Sequence, residues 1–293
     1  MKNPSAFGLD PVPDLIPEAL LRGAYSRLGQ TPAAVAEAFR DYGEGLLDAL
    51  RDVVPAVKLQ TANFLRYGHA GIEALEQLSV SAAEKGYYVI LDTMRGDVGH
   101  TAELVAETYF GSGENESASP FRADAVTLDA YPGSDGVKPF LTYCKDGGKN
   151  IFLAVKTSNK SSREVQDLIS GDRVVHTAMA DLAMRWSADL FSRSGYSEIG
   201  VIVGGTHPAV LRAMREKYDR LFFLVPGYGA QGGTARDAQA AFDRFGRGAL
   251  VCASRSILGA WKKNESDGSD YLAEARAAAE KMRSDLAAFV TVI

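Results

Sequence analysis

The sequence places a glycine-rich stretch, Pro226-Gly-Tyr-Gly-Ala-Gln-Gly-Gly233, directly after the apolar run 221–225, and a Ser254-Arg255-Ser256 triplet directly after the apolar run 249–253. Glycines let a backbone approach an anion closely and aim N–H groups at it. An arginine adds a planar fork matched to phosphate oxygens. Gly229, Gln231, Gly232 and Arg255 are therefore candidate ligand-binding residues, and the chemistry they suit is capture of a phosphorylated small molecule. The stretch is not a dinucleotide fingerprint, because no G-x-G-x-x-G opens a helix inside an early βαβ unit followed by an acidic residue. Charged and polar residues of both signs also close other apolar runs: Asp10, Lys58 with Gln60, Asp92 followed by Asp97, Asp129, Lys156-Thr157-Ser158-Asn159, and Thr206-His207. Two lysines and two aspartates brought to one mouth would be costly to bury unless they pair.

The elements that must position these groups are readable from periodicity. Short apolar runs with the length of buried parallel strands cover 6–10, 54–60, 87–92, 125–129, 151–158, 199–205, 221–227 and 249–254. Between them, helical periodicity covers 31–53, 71–85, 101–109, 174–193, 208–217, 235–245 and 271–290, the first opened by a Thr31-Pro32 cap. Residues 10–29, 111–119 and 262–269 read as loops, the first long enough to cover a site. Strand–helix alternation predicts a parallel sheet, and eight strands in 293 residues predict a single-domain (β/α)8 TIM barrel over 1–293. In a barrel the C-terminal ends of the strands carry the chemistry, which is where the polar residues fall.

Composition narrows the function classes. With 46% hydrophobic and 24% charged residues the chain is an ordinary globular one, and a net charge of −5 speaks against a broad nucleic-acid surface. No apolar run approaches the length of a membrane span, and the N-terminus lacks the apolar segment of a signal peptide. Two cysteines, Cys144 and Cys252, without metal-ligand spacing predict buried free thiols in a reducing compartment, the cytoplasm. His69, His100, His176 and His207 show no metal-binding spacing, so no metal is expected. Trp186 and Trp261 read as packing, and Lys262-Lys263 as a solvated loop end.

Taken in order, Lys58-Leu-Gln60, Leu91-Asp-Thr-Met-Arg-Gly-Asp97-Val-Gly-His-Thr101, residues 124–135, Val155-Lys-Thr-Ser-Asn159, Val203-Gly-Gly-Thr-His-Pro208, the glycine stretch and Ser254-Arg-Ser256 resemble orotidine 5'-monophosphate decarboxylase in its longer bacterial subgroup. The resemblance runs from Gly8 to about Arg255. It implies a cofactor-free barrel enzyme of pyrimidine synthesis that converts orotidine monophosphate to uridine monophosphate and carbon dioxide. It implies that Lys58, Asp92 and Asp97 belong to an alternating Lys/Asp charge network. It places Asp10 at the ribose, Thr157 and Ser158 at the pyrimidine, and Gln231 and Arg255 at the phosphate, and counts Asn159 among the substrate-binding residues. It also implies a homodimer with a shared site, in which Asp97 and Thr101 reach the partner's cavity.

One position departs from the family pattern. The motif is Asp-x-Lys-x-x-Asp, its lysine is the proton donor, and here Met94 stands between Asp92 and Asp97 in its place. A smaller departure is Lys160, where the subgroup usually has proline. Loss of carbon dioxide leaves a carbanion in the plane of the ring, beyond reach of its π system. A fixed ammonium can stabilise and protonate that carbon, whereas a thioether carries neither proton nor charge. Regular strand alternation would put Asp92 and Met94 on one face and Arg95 on the other, and an arginine is a poor proton donor. Two alternatives stay open: a nucleotide-binding protein without turnover, whether natural or engineered, and a related sugar-phosphate decarboxylase or lyase on the same barrel.

Overall fold

A computed structural model describes residues 3–111, 118–264 and 266–291. Its centre is a closed barrel of eight parallel strands, β1 (Ser5–Leu9), β2 (Ala56–Gln60), β3 (Tyr88–Arg95), β4 (Ala125–Leu128), β5 (Asn150–Lys156), β6 (Ile199–Val203), β7 (Phe223–Pro226) and β8 (Ala249–Ala253), each paired to its neighbours in chain order, with β8 returning to β1. This is the (β/α)8 TIM barrel architecture. The strands are rich in Val, Ile, Leu and Ala because both of their faces are covered.

Alternation along each strand divides the core in two. Ala6, Ala56, Ile90, Ala125, Phe152, Ile202, Leu224, Leu250 and Cys252 fill the lumen. Their odd-numbered or intervening neighbours, among them Phe7, Leu9, Val57, Leu59, Val89, Leu91, Val126, Ile151, Leu153, Val201 and Val251, face outward into a much larger layer shared with the helices. The same parity continued toward the C-terminal ends aims Asp10, Lys58, Gln60, Asp92, Thr127 and Ser254 inward, so the alternation that builds the core also delivers the polar groups to one mouth.

The outer layer contains α1 (Glu18–Leu28), α2 (Pro32–Leu50), α3 (Thr61–Leu65), α4 (Gly68–Glu84), α5 (Gly99–Phe110), α6 (Ser134–Gly147), α7 (Arg163–Gln166), α8 (Val175–Trp186), α9 (Pro208–Lys217), α10 (Ala235–Ala238), α11 (Arg255–Leu258) and α12 (Tyr271–Ala287). Thr31 caps α2, its hydroxyl accepting from Ala34 N at 3.2 Å, with Pro32 in the first turn.

Several elements differ from the sequence expectations. The segment 10–29 is not a loop throughout, because α1 starts directly after Pro17. The stretch between β4 and β5 forms α6 around an internal Pro139, which hides its periodicity. The helix expected over 174–193 ends at Trp186, and that over 235–245 is a four-residue turn of helix followed by a 3-10 turn at Gln239–Ala241. A short antiparallel hairpin, Ile169–Ser170 with Arg173–Val174, sits between β5 and α8. Most of the expected loop 111–119 lies outside the described residues. No helix among the described residues is long and apolar enough to cross a membrane.

Candidate active site

A cavity of about 300 Å³ opens at the C-terminal ends of the strands. Lys58 is its electrostatic centre. The side chain is buried, and Nζ donates to Asp92 Oδ2 at 2.6 Å and to Asp10 Oδ1 at 3.2 Å. Burial alone would lower its pKa, but the charges of Asp10 and Asp92 outweigh that and push it well above the ordinary lysine range, so Lys58 holds its proton. Asp92 is further fixed by Gln60 Nε2 at 3.0 Å and by the Thr127 hydroxyl at 2.7 Å. The network is thus drawn from four neighbouring strand ends: β1 and β3 each give a carboxylate, β2 the cation and an amide, β4 a hydroxyl. The close approach of β1 to β8 requires Gly8, where a Cβ would lie 1.9 Å from Ser254 Oγ.

The end of β3 is a bulge. Leu91 pairs with Val126 and Arg95 with Leu128, so residues 92–94 face Thr127 alone. Thr127 stitches the bulge by accepting from Met94 N at 3.0 Å, while the Thr93 hydroxyl donates to Thr127 O at 2.6 Å. Met94 adopts a left-handed backbone, φ 45°, the one non-glycine residue to do so among the described residues. It lines the cavity beside Asp92. The sequence expectation had both on one face by regular alternation; the structure puts both at the cavity through the bulge. Arg95 turns to the rim, where Nη2 meets Asp97 Oδ2 at 3.3 Å.

On the far side of the cavity lie Thr157, Ser158, Gly227, Tyr228, Gln231 and Arg255. The glycine stretch folds on itself through Gly233 N to Gly227 O at 3.1 Å and Gly229 N to Gly233 O at 2.9 Å, with left-handed φ at Gly227 and Gly229. Tyr228 anchors it to α12 by donating to Asp285 Oδ2 at 2.7 Å, and a Thr234–Asp237 capping box ends it. Arg255 makes no ion pair among the described residues, which leaves its guanidinium available to an anion. Close by, Ser256 Oγ is buried without a hydrogen-bond partner among the described residues and packs against Gly229.

Of the residues singled out from sequence, Asp10, Lys58, Asp92, Met94, Thr157, Ser158, Gln231 and Arg255 line this cavity. Five others do not. Asp97 and Thr101 lie beyond the bulge, Asp97 accepting from Val98 N and Arg95 and Thr101 exposed on α5. Asn159 points to the Thr157 hydroxyl at 2.6 Å, while Gly229 and Gly232 shape the glycine stretch without reaching the lumen. Lys156, expected at the mouth, is a correction: the register of β5 shifts between Ala154 and Lys156, and the buried ammonium turns to Asp167 at 2.6 Å. Residues the sequence reading left out of the site are Thr127, Ile202, Leu224, Tyr228 and Cys252; strand parity alone would have recovered all of them except Tyr228.

Comparison with known proteins decides the family. The model of the orotidine 5'-phosphate decarboxylase / HUMPS family matches residues 42–266. The chain belongs to that family. An orotidine 5'-phosphate decarboxylase of Rhodopirellula baltica is 36% identical over 286 residues, covering 96% of this chain and 93% of that protein. One from Clostridium acetobutylicum is 35% identical, covering 86% of each. Among solved structures, Leishmania donovani OMP decarboxylase superposes with a TM-score of 0.73 at 27% identity, covering 98% of this chain and 94% of that one. By family the chain is a carbon–carbon lyase, a decarboxylase, and the chemistry of orotidine phosphate decarboxylases belongs to pyrimidine biosynthesis.

Proposed function

We propose that the cavity binds orotidine 5'-monophosphate and its product uridine monophosphate, and that Met94 at the family's lysine position leaves this chain with little turnover. The observation that carries the reading is the Asp10–Lys58–Asp92 triad facing an arginine with no ion pair among the described residues and a glycine stretch across one cavity. In this pose Gln231 and Arg255 hold the phosphate, Asp10 and Lys58 the ribose, Thr157 and Ser158 the pyrimidine, and Asp92 and Met94 face C6.

The chemistry then follows from charge. Departure of carbon dioxide puts negative charge on C6 beside the Asp92 carboxylate. Lys58 is committed to two carboxylates and raised in pKa, so it is a weak acid for that carbon. The Met94 thioether supplies neither field nor proton. One lost electrostatic donor costs about 10²–10³ in rate and lost general-acid help about 10²–10⁴. The deciding experiment compares turnover of orotidine monophosphate by the native chain and by Met94→Lys, with uridine monophosphate binding measured by calorimetry on both. The expected result is nucleotide binding by both and a gain of at least about 10² in turnover for the variant. Native turnover equal to that of Met94→Lys overturns the lost-donor account, and no uridine monophosphate binding overturns the nucleotide reading. The name of the matched family joins two enzyme groups, which keeps a sugar-phosphate lyase as a second reading. Ribose 5-phosphate bound as tightly as uridine monophosphate would favour it.

We also infer a homodimer in which Asp97 and Thr101 serve the partner's cavity. Both stand away from their own cavity, beside the exposed apolar side chains of Val98 and Leu104, which supports that placement. The two free, buried cysteines support a reducing, cytoplasmic setting.

A further inference from the structure

We propose that a second cavity, at the N-terminal end of the barrel, is a binding site for a small organic ammonium ion carried on an aromatic or compact apolar body, with Glu198 as its counter-charge. It shares no lining residue with the cavity at the C-terminal end.

The lumen of a barrel is ordinarily filled by bulky branched side chains. Here two inward positions at the start of β2 and β6 are held by Ala56 and Gly200. A Cβ on Gly200 would lie 2.5 Å from two carbons of the Phe152 ring, so the ring stands where a side chain of β6 would go. The space that remains is about 270 Å³, walled by Tyr88, Phe152, Tyr196, Phe222 and Leu250. An apolar cavity of about 150 Å³ is enough to hold benzene, so this one has room for a ring with a short substituent. Ser194, which also lines it, is exposed and gives it a polar lip at the surface.

The hydrogen bonds in this cavity close on one another, but the charge does not. The Tyr88 hydroxyl donates to Asn150 Oδ1, and Asn150 Nδ2 donates to Glu198 Oε2. Apart from the tyrosines, Glu198 is the one titratable side chain in the lining, where no lysine, arginine or histidine stands. Burial therefore raises its pKa with no nearby cation to oppose the rise. An ammonium ion seated here gains the attraction of that carboxylate and of the aromatic ring faces around it. An uncharged molecule of the same shape gains only the apolar contact, and an anion is repelled by Glu198.

Three probes of nearly one shape test this: benzylammonium, benzyl alcohol and benzoate, each titrated into the full chain at neutral pH by calorimetry. The expected result is one benzylammonium per chain, bound on the order of tenfold more tightly than benzyl alcohol, with benzoate the weakest of the three. Glu198→Gln keeps an acceptor for Asn150 and removes the charge. It should bring benzylammonium down to the level of benzyl alcohol and leave benzyl alcohol where it was. Ala56→Phe puts a ring into the space itself and should abolish binding of both probes; Leu250→Phe fills the cavity from β8 and does the same should the first variant fail to fold. Benzylammonium bound no more tightly than benzyl alcohol overturns the inference. So does a preference for the cation that survives Glu198→Gln, which would place the binding at the carboxylates of the other cavity, and so does full binding in a folded variant with the cavity filled.

Discussion

At the N-terminal end of the barrel a cavity of about 270 Å³ is walled by Tyr88, Phe152, Phe222 and Leu250; at the C-terminal end one of about 300 Å³ is walled by Asp10, Lys58, Asp92 and Arg255. The volumes are nearly equal and the contents opposite. At the base, Phe152 and Phe222 meet edge to face with ring centres 6.3 Å apart, and Tyr196 packs on Phe222 at 5.8 Å. The polar groups there satisfy one another: Tyr88 donates to Asn150 Oδ1 at 2.5 Å, and Asn150 in turn donates to Glu198. Burial raises the pKa of both Tyr88 and Glu198 above their ordinary ranges, so the base favours neutral forms. At the mouth the charges persist, because a buried lysine sits between two carboxylates and an arginine has no ion pair among the described residues. The comparison separates a polar network that completes itself from one whose capacity is turned toward a ligand.

The most severe way to break the comparison is to remove the charge at the centre of the mouth. Lys58→Met leaves Asp10 and Asp92 without their cation, and breaking such a buried pair costs about 3–5 kcal/mol. Urea unfolding at neutral pH measures it. A loss below about 1 kcal/mol at neutral pH would show that the triad is solvated and worth no more than a surface pair. At the base the corresponding change is milder. Tyr88→Phe removes one neutral hydrogen bond and should cost about 1 kcal/mol by the same measurement. Uridine monophosphate affinity should not change; a fall in affinity would mean that the two ends are coupled. The smallest effect expected is none at all. Burial pushes the thiols of Cys144 and Cys252 up to about 12, so both stay protonated at pH 8. A disulfide reagent should titrate neither in the folded chain and both in urea. Rapid labelling of Cys252, which borders the mouth, would mean that this end opens far more than its packing allows.

Much of the barrel was legible because strands covered on both faces are short, apolar and separated by helical periods. All eight runs read from sequence overlap the eight strands. What was missed has local causes. In α1, Pro17 before the helix and Gly23 within it mimic a loop, and in α6 Pro139 interrupts the pattern although the helix continues through it. The charge centre was legible from Asp10, Lys58 and Asp92 at strand ends. Lys156 was not, because a register shift in β5 leaves no trace in composition and reverses the direction of a side chain.

The left-handed turn at position 94 is imposed by the bulge and by the hydrogen bonds of Thr127, not by the side chain that occupies it. An unbranched residue of similar length fits that backbone about equally well whether it ends in sulfur or nitrogen. Codons for methionine and lysine differ by a single nucleotide, AUG against AAG. A lineage carrying this scaffold therefore stands one base change from an ammonium at the heart of the site, and the same step in reverse would silence a relative without disturbing its fold.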